Sequence, residues 1–395
     1  MIPAVILSCH TMGLAVIRCL GPKDVPIIAV YYQKGDMGYV SKYVKEAIFA
    51  PHPEQFPEAF INLLLDVAVR VGRSILIPAD DASLSVVSKN KRALEEKFLV
   101  ACTEWEITEK FIDKKFTYAL AEACDIPTPR TVVPNSIEEV EAYEKKIEYP
   151  CLVKPCESHK YFEIFRRKMV RVDNIDQMIY AYRQAADVGL KVMIQELIPG
   201  DDASGVNYNS YVWEGQPIIE FTAEKVRLSP PAFGIPRVVV SKDIQETIEP
   251  GRKILKKLGY YGYSCTEFKK DCRDGTYKLM EVNGRHNRSG LLAMHCGLNF
   301  PWIEYQNLVE GKLIRKHFYK TGVYWIDEYQ DLFSSFKFMK REKYSVKEYL
   351  MPYLRSHVFA VFDINDVKPF FKRLTDLGKK ALQQLYTKFI FDETF

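Results

Sequence analysis

The densest set of residues able to do chemistry lies between Tyr263 and Gly290, in the sequence YSCTEFKKDCRDGTYKLMEVNGRHNRSG. Two strand-like runs flank Arg273-Asp-Gly275, which is typical of a three-residue hairpin loop whose glycine adopts the left-handed conformation. The sequence therefore predicts a β-hairpin in which Cys272 pairs with Thr276.

This pairing predicts a cluster of oxygen ligands. It places Glu267 directly opposite Glu281, and Asn283, two residues further on, shares the face of Glu281. Two carboxylates and an amide oxygen on one face suit Mg²⁺, and adjacent like charges need a cation to offset their repulsion. The alternative is an exposed hairpin with solvated acids. Arg285 favours a phosphoryl-transfer site, because that chemistry needs a fixed guanidinium near the metal-held phosphate.

Composition narrows the class of protein. The chain has 395 residues, with 55 Lys and Arg against 51 Asp and Glu, a formal net charge of +4. That charge is too small for a domain built to bind nucleic acid, and no apolar run approaches the ~18 residues of a membrane span. Nine cysteines without CxxC pairs argue against a disulfide framework or a zinc site. Residues 1–10 lack the basic start of a signal peptide, so we predict a cytoplasmic protein.

Strand and helix patterns alternate in the first third of the chain. The strand-like runs are 5–7, 25–32 and 74–78, and the helical stretches between them are 14–20 and 56–71. This alternation predicts a Rossmann-like layer with a parallel sheet. Only Gly13 follows the first strand closely, and one glycine cannot supply the three roles of GxGxxG. The sequence therefore argues against a nicotinamide or flavin enzyme, and it has no P-loop.

The centre mixes helices and strands differently, as an α+β domain does. The predicted helices are Thr108–Cys124 and one that opens at the capping box Ser136–Glu139, and the predicted strands are 151–154, 166–172, 191–198, 208–213 and 217–221. We predict an α/β protein with a Rossmann-like domain at 1–110, a central domain at 111–320 and a helical, aromatic-rich extension at 321–395. The central domain divides into lobes at 111–200 and 201–320.

Four motifs resemble, in order, the signature of the ATP-grasp superfamily. They are Asp113-Lys114, Tyr149-Pro-Cys-Leu-Val-Lys154-Pro, Gln195-Glu-Leu-Ile-Pro-Gly200, and Glu267 with Glu281-Val-Asn283-Gly-Arg285. The segments 223–241 and 262–285 resemble, more narrowly, the predicted ATP-grasp carboligases related to D-aspartate ligase. The resemblance covers almost the whole chain and implies an N-terminal Rossmann-like layer, a central ATP-grasp fold and a C-terminal helical tail.

The resemblance also implies roles for single residues. It assigns ATP phosphates to Lys114, Lys154 and Lys168, the adenine hinge to Glu196, Leu197 and Ile198, and the ribose to Asp202, with Asp201 an equal candidate. It assigns two Mg²⁺ ions, with Mn²⁺ as a substitute, to Glu267, Glu281 and Asn283. Arg285 would stabilise the transferring phosphoryl group, and Arg227 would contact phosphate or the carboxylate substrate.

One departure from the family concerns the loop that follows Lys154. Many ATP-grasp enzymes have a glycine-rich loop there, whereas residues 155–168 contain no glycine. We expect Arg166, Arg167 or Lys168 to replace the missing backbone amides electrostatically. The alternative is a basic, solvated strand edge.

The histidines and cysteines are interpreted as mainly structural. Carboxylate–amine ligation of the implied kind needs no histidine base, so His159, His286 and His295 are not assigned to catalysis, although His286 is also a candidate for lining the substrate pocket. Cys265 and Cys296 are expected to be buried small hydrophobic residues.

The C-terminal pattern predicts a basic amphipathic helix over 367–391. Such a helix either lies on a membrane surface or covers the body of its own protein, and we favour the second interpretation. Homodimers are a common family arrangement.

The resemblance implies an ATP-dependent carboxylate–amine ligase that forms an amide bond through an acylphosphate and releases ADP and phosphate. The alternatives are an ATP-binding regulatory protein with the same fold, and a kinase or carboxylase on the same scaffold. The sequence identifies neither the acid nor the amine.

Overall fold

The structure, a computed structural model, describes residues 1–232, 234–316, 318–342 and 344–392. The side chains at 158, 159, 338–342, 380, 382 and 384–392 are not described. His159 and the end of the predicted 367–391 helix therefore lie outside the described side chains. Two compact units form: Met1–Ala101 with His286–Leu313 and Val323–Phe395, and Cys102–Arg285 with Ile314–Gly322. The domain limits at 110 and 320 stay a prediction.

The secondary structure alternates along the chain. The strands are β1 (Ala4–Leu7), β2 (Ile27–Tyr31), β3 (Val44–Phe49), β4 (Ser74–Pro78), β5 (Phe98–Val100), β6 (Thr131–Val132), β7 (Cys151–Pro155), β8 (Val170–Val172), β9 (Val192–Glu196), β10 (Gly205–Trp213), β11 (Gln216–Ser229), β12 (Ile235–Ser241), β13 (Gly262–Lys270), β14 (Tyr277–Asn283), β15 (Tyr324–Ile326) and β16 (His357–Phe359). The helices are α1 (Thr11–Leu20), α2 (Pro57–Val71), α3 (Asp81–Lys89), α4 (Lys91–Leu94), α5 (Trp105–Ile112), α6 (Lys114–Glu122), α7 (Ile137–Glu144), α8 (Ser158–Phe165), α9 (Ile175–Ala186), α10 (Ile248–Leu258), α11 (Gly290–His295), α12 (Phe300–Glu310), α13 (Glu328–Glu342), α14 (Val346–Leu354) and α15 (Lys368–Asp392).

The first unit is built on a parallel sheet with the strand order β3-β2-β1-β4-β5. Its strands β1 and β4 are buried along their whole length. Continuous apolar strands of this kind are expected where crossover helices cover a parallel sheet. Val16, Ile17 and Leu20 of α1 pack into the same core. The predicted Rossmann-like layer is confirmed.

Within the first unit, Asp366 anchors the C-terminal part of the chain to α1. Its Oδ2 lies 3.0 Å from Nε of Arg18 on α1 and accepts a hydrogen bond from Oγ of Ser41 at 2.7 Å. Helix α15 follows, with Phe370 partly covered and Leu374 exposed. No helix among the described residues is both long and apolar enough to cross a membrane.

The second unit contains two antiparallel sheets, which confirms the α+β centre. The smaller has the order β6-β9-β7-β8, and Met178 and Ala181 of α9 pack on Val153 and Ile194 beneath it. The larger sheet runs β14-β13-β10-β11-β12 within this unit. The two predicted strands at 208–213 and 217–221 correspond to β10 and β11.

The predicted single helix Thr108–Cys124 is wrong. The chain breaks at Asp113, whose backbone is extended and whose carboxylate accepts a hydrogen bond from the amide of Lys115 at 3.1 Å. A side-chain cap of this kind starts a new helix. Lys114 therefore occupies the first turn of α6 instead of the middle of a long helix.

The glycine-free segment after Lys154 also differs from the prediction. Residues 158–165 form α8, and the predicted strand 166–172 begins only at Val170. Arg166 ends the helix in the left-handed conformation, with φ of 53°. The exposed residues 166–168 then lead into β8, which is an edge strand of the smaller sheet.

The hairpin of β13 and β14 has a different turn from the one predicted. Asp271, not Cys272, pairs with Thr276: its amide donates to the Thr276 carbonyl at 2.8 Å. A β-bulge between Glu267 and Phe268 then shifts the register by one residue, so Glu267 does lie opposite Glu281. The carbonyl of Met280, in the bulge, accepts a hydrogen bond from Tyr118 Oη at 2.8 Å. A bulge leaves a backbone group unpaired, and here Tyr118 satisfies it.

Candidate active site

The predicted oxygen cluster forms on one face of the β13–β14 hairpin. Glu267 and Glu281 are directly opposite, and Asn283 pairs with Cys265 on the same face. Nδ2 of Asn283 is 3.4 Å from Oε1 of Glu267. The structure thus brings together the three residues that the sequence singled out as metal ligands.

Two lysines contact these acids from other elements. Nζ of Lys114, at the start of α6, lies 3.3 Å from Oε1 of Glu281. Nζ of Lys225 on β11 contacts Oε2 of Glu267. Sequence reasoning missed Lys225, because β10 separates β11 from β13 in the sheet.

Gly205 explains how Lys225 reaches across β10. A Cβ atom at Gly205 would lie 3.0 Å from Cδ of Lys225. The glycine therefore leaves a path for the lysine side chain between β11 and Glu267. The period-two alternation of β11 was the one available signal, and it has meaning only once the strand order is known.

The charges in this cluster shift one another's pKa values. Burial would raise the pKa of the Glu281 carboxyl, but Lys114, Lys154 and Lys168 outweigh it and lower that pKa to about 2. Burial likewise opposes the charged form of Lys114, yet Glu281 raises its pKa above the ordinary value. Both groups are therefore ionised at neutral pH.

Lys154 differs from Lys114 and Lys225 because its hydrogen-bond partner is neutral. It is 7% exposed, and its Nζ donates to Oε1 of Gln195 on β9 at 2.9 Å. Gln195 in turn donates to Oγ1 of Thr131 on β6 at 2.9 Å. Burial and the nearby Lys114 lower the pKa of Lys154 to about 7. A neutral amide holds this lysine, so it is available to pair with an incoming anion.

Lys168 follows α8, and its side chain is solvent-exposed. Crowding by protein atoms lowers its pKa, and Glu281 and Glu267 partly oppose that shift. Lys168 is therefore electrostatically coupled to the acid cluster.

The two arginines of the prediction occupy different surroundings. Nη2 of Arg285 donates to Oδ1 of Asn283 at 3.1 Å, which holds its guanidinium at the edge of the acid cluster. Gly284 between them has no room for a side chain, since a Cβ would lie 2.4 Å from the ring of Phe111. Arg227 on β11 is only 1% exposed.

The predicted adenine hinge begins with a carboxylate that other groups already hold. Glu196 accepts hydrogen bonds from the Arg130 amide at 3.1 Å and from Nη2 of Arg273 at 2.5 Å. Burial opposes ionisation of Glu196, but these hydrogen bonds lower its pKa. Ile198 is buried and Leu197 partly so. The carboxylate of Glu196 is thus held by the protein itself, and the assignment of this segment to the adenine stays a prediction.

Asp202 also has both carboxylate oxygens engaged. Oδ2 accepts from the amide of Leu228 at 2.8 Å, and Oδ1 accepts from the amide of Ala232 at 2.7 Å. Oδ1 of Asp201 accepts from the amide and hydroxyl of Ser204, each at 3.1 Å. Asp202 therefore stabilises the end of β11, and the assignment of ribose to either residue stays a prediction.

The donor set of the cluster fits a hard cation. Two carboxylates and an amide oxygen are ligands that Mg²⁺ prefers. Among the described residues, no group of three or more His, Cys, Asp or Glu is arranged to hold a metal. Lys114 and Lys225 lie where they could meet phosphate oxygens bound to such a cation.

Two of the three histidines considered in the sequence, His286 and His295, have structural partners. Nε2 of His286 lies 2.9 Å from Oε2 of Glu304, and both side chains are buried. Nδ1 of His295 lies 3.1 Å from the Leu291 carbonyl. Cys265 and Cys296 are buried, as predicted.

No family model matches the sequence. A D-aspartate ligase of Enterococcus faecium (strain Aus0004) is 28% identical over 265 residues, which are 62% of this chain and 60% of that enzyme. The match thus spans less than two thirds of that relative.

Solved structures resemble the chain over a larger share. An L-amino acid ligase from Bacillus licheniformis has a TM-score of 0.62 at 17% identity, covering 80% of this chain and 78% of that one. The biotin carboxylase domain dimer of Hydrogenobacter thermophilus 2-oxoglutarate carboxylase, in complex with MgADP, ADP and bicarbonate, has a TM-score of 0.63 at 17% identity, covering 82% and 73%. At these identities the likeness shows the fold.

Proposed function

We propose that the chain is an ATP-grasp enzyme, an ATP-dependent carboxylate–amine ligase that forms an amide bond. The observation that carries the proposal is the pairing of Glu267 and Glu281 with Lys225 and Lys114, next to Arg285. Two acids on one hairpin, each paired with a lysine from another element, suit phosphoryl transfer, which depends on positioning and charge stabilisation. The relative named D-aspartate ligase supports the ligase class.

The nucleotide would lie between the small sheet and the acid cluster of the second unit. Lys154 and Lys114 would pair with its phosphates, with Lys168 contributing charge from the segment after α8. Glu196, Leu197 and Ile198 would present backbone groups to the adenine, and Asp202 is proposed for the ribose. The solved neighbour in complex with MgADP supports a nucleotide site on this fold.

Glu267, Glu281 and Asn283 would hold Mg²⁺, with two ions proposed and Mn²⁺ as a substitute. When bound, the metal neutralises negative charge on the phosphates and so favours phosphoryl transfer. The lysines paired with these acids would exchange a carboxylate partner for a phosphate partner when nucleotide enters. In the structure Lys114 pairs with Glu281 and Lys225 with Glu267.

The proposed reaction has two steps. A substrate carboxylate oxygen attacks the γ-phosphorus, the bond to the β-phosphate oxygen breaks, and ADP leaves. An amine then attacks the acyl carbon, phosphate leaves with the former carboxylate oxygen, and the nitrogen loses a proton. Arg285 would stabilise the transferring phosphoryl group, and Arg227 is proposed for phosphate or the substrate carboxylate.

The test is release of ADP and phosphate by the full chain with Mg·ATP, against amino acids singly and in pairs. D-aspartate stands first on the panel because of the relative's name. Release that requires an acid and an amine together, with an amide product seen by mass spectrometry, is the expected result. A phosphorylated product would indicate a kinase, and a bicarbonate-derived product would indicate a carboxylase, in place of the proposed ligase. Tight ATP binding without release for any pair would favour a regulatory protein, and absence of ATP binding would refute the nucleotide site.

A further inference from the structure

Asn207 on β10 extends the row of oxygen-bearing side chains across the sheet. Asn207 lies directly opposite Glu267, and Glu267 lies directly opposite Glu281. Directly opposite residues on neighbouring antiparallel strands point to the same face, with Cβ atoms about 4.5–5.5 Å apart. The three side chains therefore form one line across β10, β13 and β14.

The amide oxygen of Asn207 is buried and unsatisfied. The residue is 3% exposed, and among the described residues its Oδ1 has no hydrogen-bond partner. Buried polar atoms normally have partners, and an exception next to a cluster of ligands indicates an atom that is reserved for something bound there.

Asn209 provides an internal comparison two residues further along the same strand. Its Oδ1 accepts a hydrogen bond from Tyr263 Oη at 2.8 Å, and its Nδ2 donates to the Phe221 carbonyl at 3.3 Å. Both asparagines share one face of β10 and both are 3% exposed. The protein satisfies the oxygen of the asparagine that lies away from the acids and leaves the oxygen opposite Glu267 open.

We propose that Oδ1 of Asn207 is a further ligand of the divalent cation held by Glu267, Glu281 and Asn283. The proposal rests on the proposed function only through that cation. A neutral amide oxygen adds coordination without adding a third negative charge, and an amide carbonyl is an ordinary ligand for hard cations. It completes a set of four oxygen-bearing side chains, two charged and two neutral.

The test measures metal binding directly. Mn²⁺ affinity of the full chain with saturating ADP is followed by electron paramagnetic resonance, which reports free Mn²⁺ whether or not any ligation occurs. Asn207→Leu keeps the size of the side chain and removes the oxygen, and we expect Mn²⁺ affinity to fall by about tenfold or more. Unchanged affinity in Asn207→Leu would overturn the proposal.

A second variant distinguishes loss of the ligand from misfolding of Asn207→Leu. Asn207→Asp supplies carboxylate oxygens at the same position, and we expect it to bind Mn²⁺ more tightly than the wild type. Equal or weaker binding by this variant would also refute the assignment. The matched control is Thr266→Val, which removes another buried, unsatisfied oxygen on the neighbouring strand. Thr266 points to the opposite face, so its loss is expected to leave Mn²⁺ affinity unchanged.

Glu281→Ala separates this inference from the proposed function. If Glu281→Ala loses Mn²⁺ binding and Asn207→Leu does not, Asn207 is not a ligand and the metal site of the proposed function stands. If neither variant affects Mn²⁺ binding, the metal site itself is wrong and both proposals fail.

Discussion

Glu267 and Glu281 lie directly opposite each other because a bulge inserts one extra residue between the turn of their hairpin and the acids. On the turn side of the bulge, Phe268 pairs with Leu279. On the other side, Glu267 pairs with Glu281, so the pairing has moved by one residue. A shift of one residue turns a side chain to the other face of a sheet. The bulge therefore decides whether the second carboxylate faces the first, and Tyr118 satisfies the bulged carbonyl of Met280.

Replacement of Glu281 by alanine is expected to reduce ATP turnover by at least about 100-fold, because the change removes the carboxylate that balances Lys114 and would hold the metal. ADP release under saturating Mg·ATP and substrates measures the effect. Glu224→Ala is the control, since Glu224 lies on the same sheet and contacts Lys242 instead. Turnover near the wild-type rate in Glu281→Ala would remove Glu281 from the site.

Lys225→Met tests the residue that sequence reasoning missed. We expect phosphoryl transfer to fall by roughly 100-fold, because the variant loses a cation fixed beside Glu267 while keeping the aliphatic stem. Steady-state ADP release provides the measurement. Lys242→Met removes the comparable lysine that pairs with Glu224, and it is expected to leave the rate within about twofold. Equal loss in both variants would indicate a general effect on the sheet.

We expect ATP binding to take up a proton above neutral pH because of the lowered pKa of Lys154. With its pKa lowered to about 7, Lys154 is mostly neutral at pH 8.5 in the nucleotide-free protein. A bound phosphate favours the charged form and raises that pKa, so binding must draw a proton from the buffer. Calorimetry at pH 8.5 in two buffers of different ionisation enthalpy measures the uptake.

The control for this experiment is a lysine variant outside the cluster. Lys154→Met is expected to abolish most of the uptake, whereas Lys191→Met, which changes an exposed lysine, is expected to preserve it. Identical uptake in Lys154→Met and wild type would assign the proton to another group.

We expect the free energy of unfolding to fall in acid because of the lowered pKa of Asp271. Hydrogen bonds from Arg273, and then from Lys278, lower the pKa of this carboxyl well below its ordinary value. Its contribution to the free energy of unfolding is therefore complete above the unfolded-state pKa of about 3.9 and is lost as the pH falls further. Asp271→Asn is expected to cost about 1–3 kcal/mol at pH 7 and about 1 kcal/mol less at pH 3, roughly one unit below the unfolded-state pKa. Urea unfolding at both pH values checks this, and an equal cost at both would contradict it.

We expect the buried ion pair of Asp366 and Arg18 to stabilise the first unit. Asp366→Ala leaves Arg18 buried without its acid, which is expected to cost about 3–5 kcal/mol of unfolding free energy. Asp363→Ala removes a carboxylate that accepts from the Asn365 amide and is expected to cost less than about 1 kcal/mol. Denaturant unfolding compares the two variants, and a small cost in both would show that Arg18 is stabilised elsewhere.

Local periodicity was enough to predict several parts of this protein. The apolar strands of the first layer, the β13–β14 hairpin and the shared face of Glu281 and Asn283 all follow from spacing along a few residues. The hairpin was located correctly although its turn was not, because Asp271 closes the loop one residue earlier than the glycine pattern suggests. The break before Lys114 was missed, because an N-cap at Asp113 interrupts a continuous helical pattern.

The distant side chains that join the cluster could be identified only from the folded chain. Lys225 meets Glu267, Gln195 holds Lys154, and Asn207 lines up with the acids. These pairs are separated by dozens of residues, and each requires the order of strands in a sheet to be known. Strand order is fixed by long-range packing and crossover connections, which leave no periodic trace in the sequence.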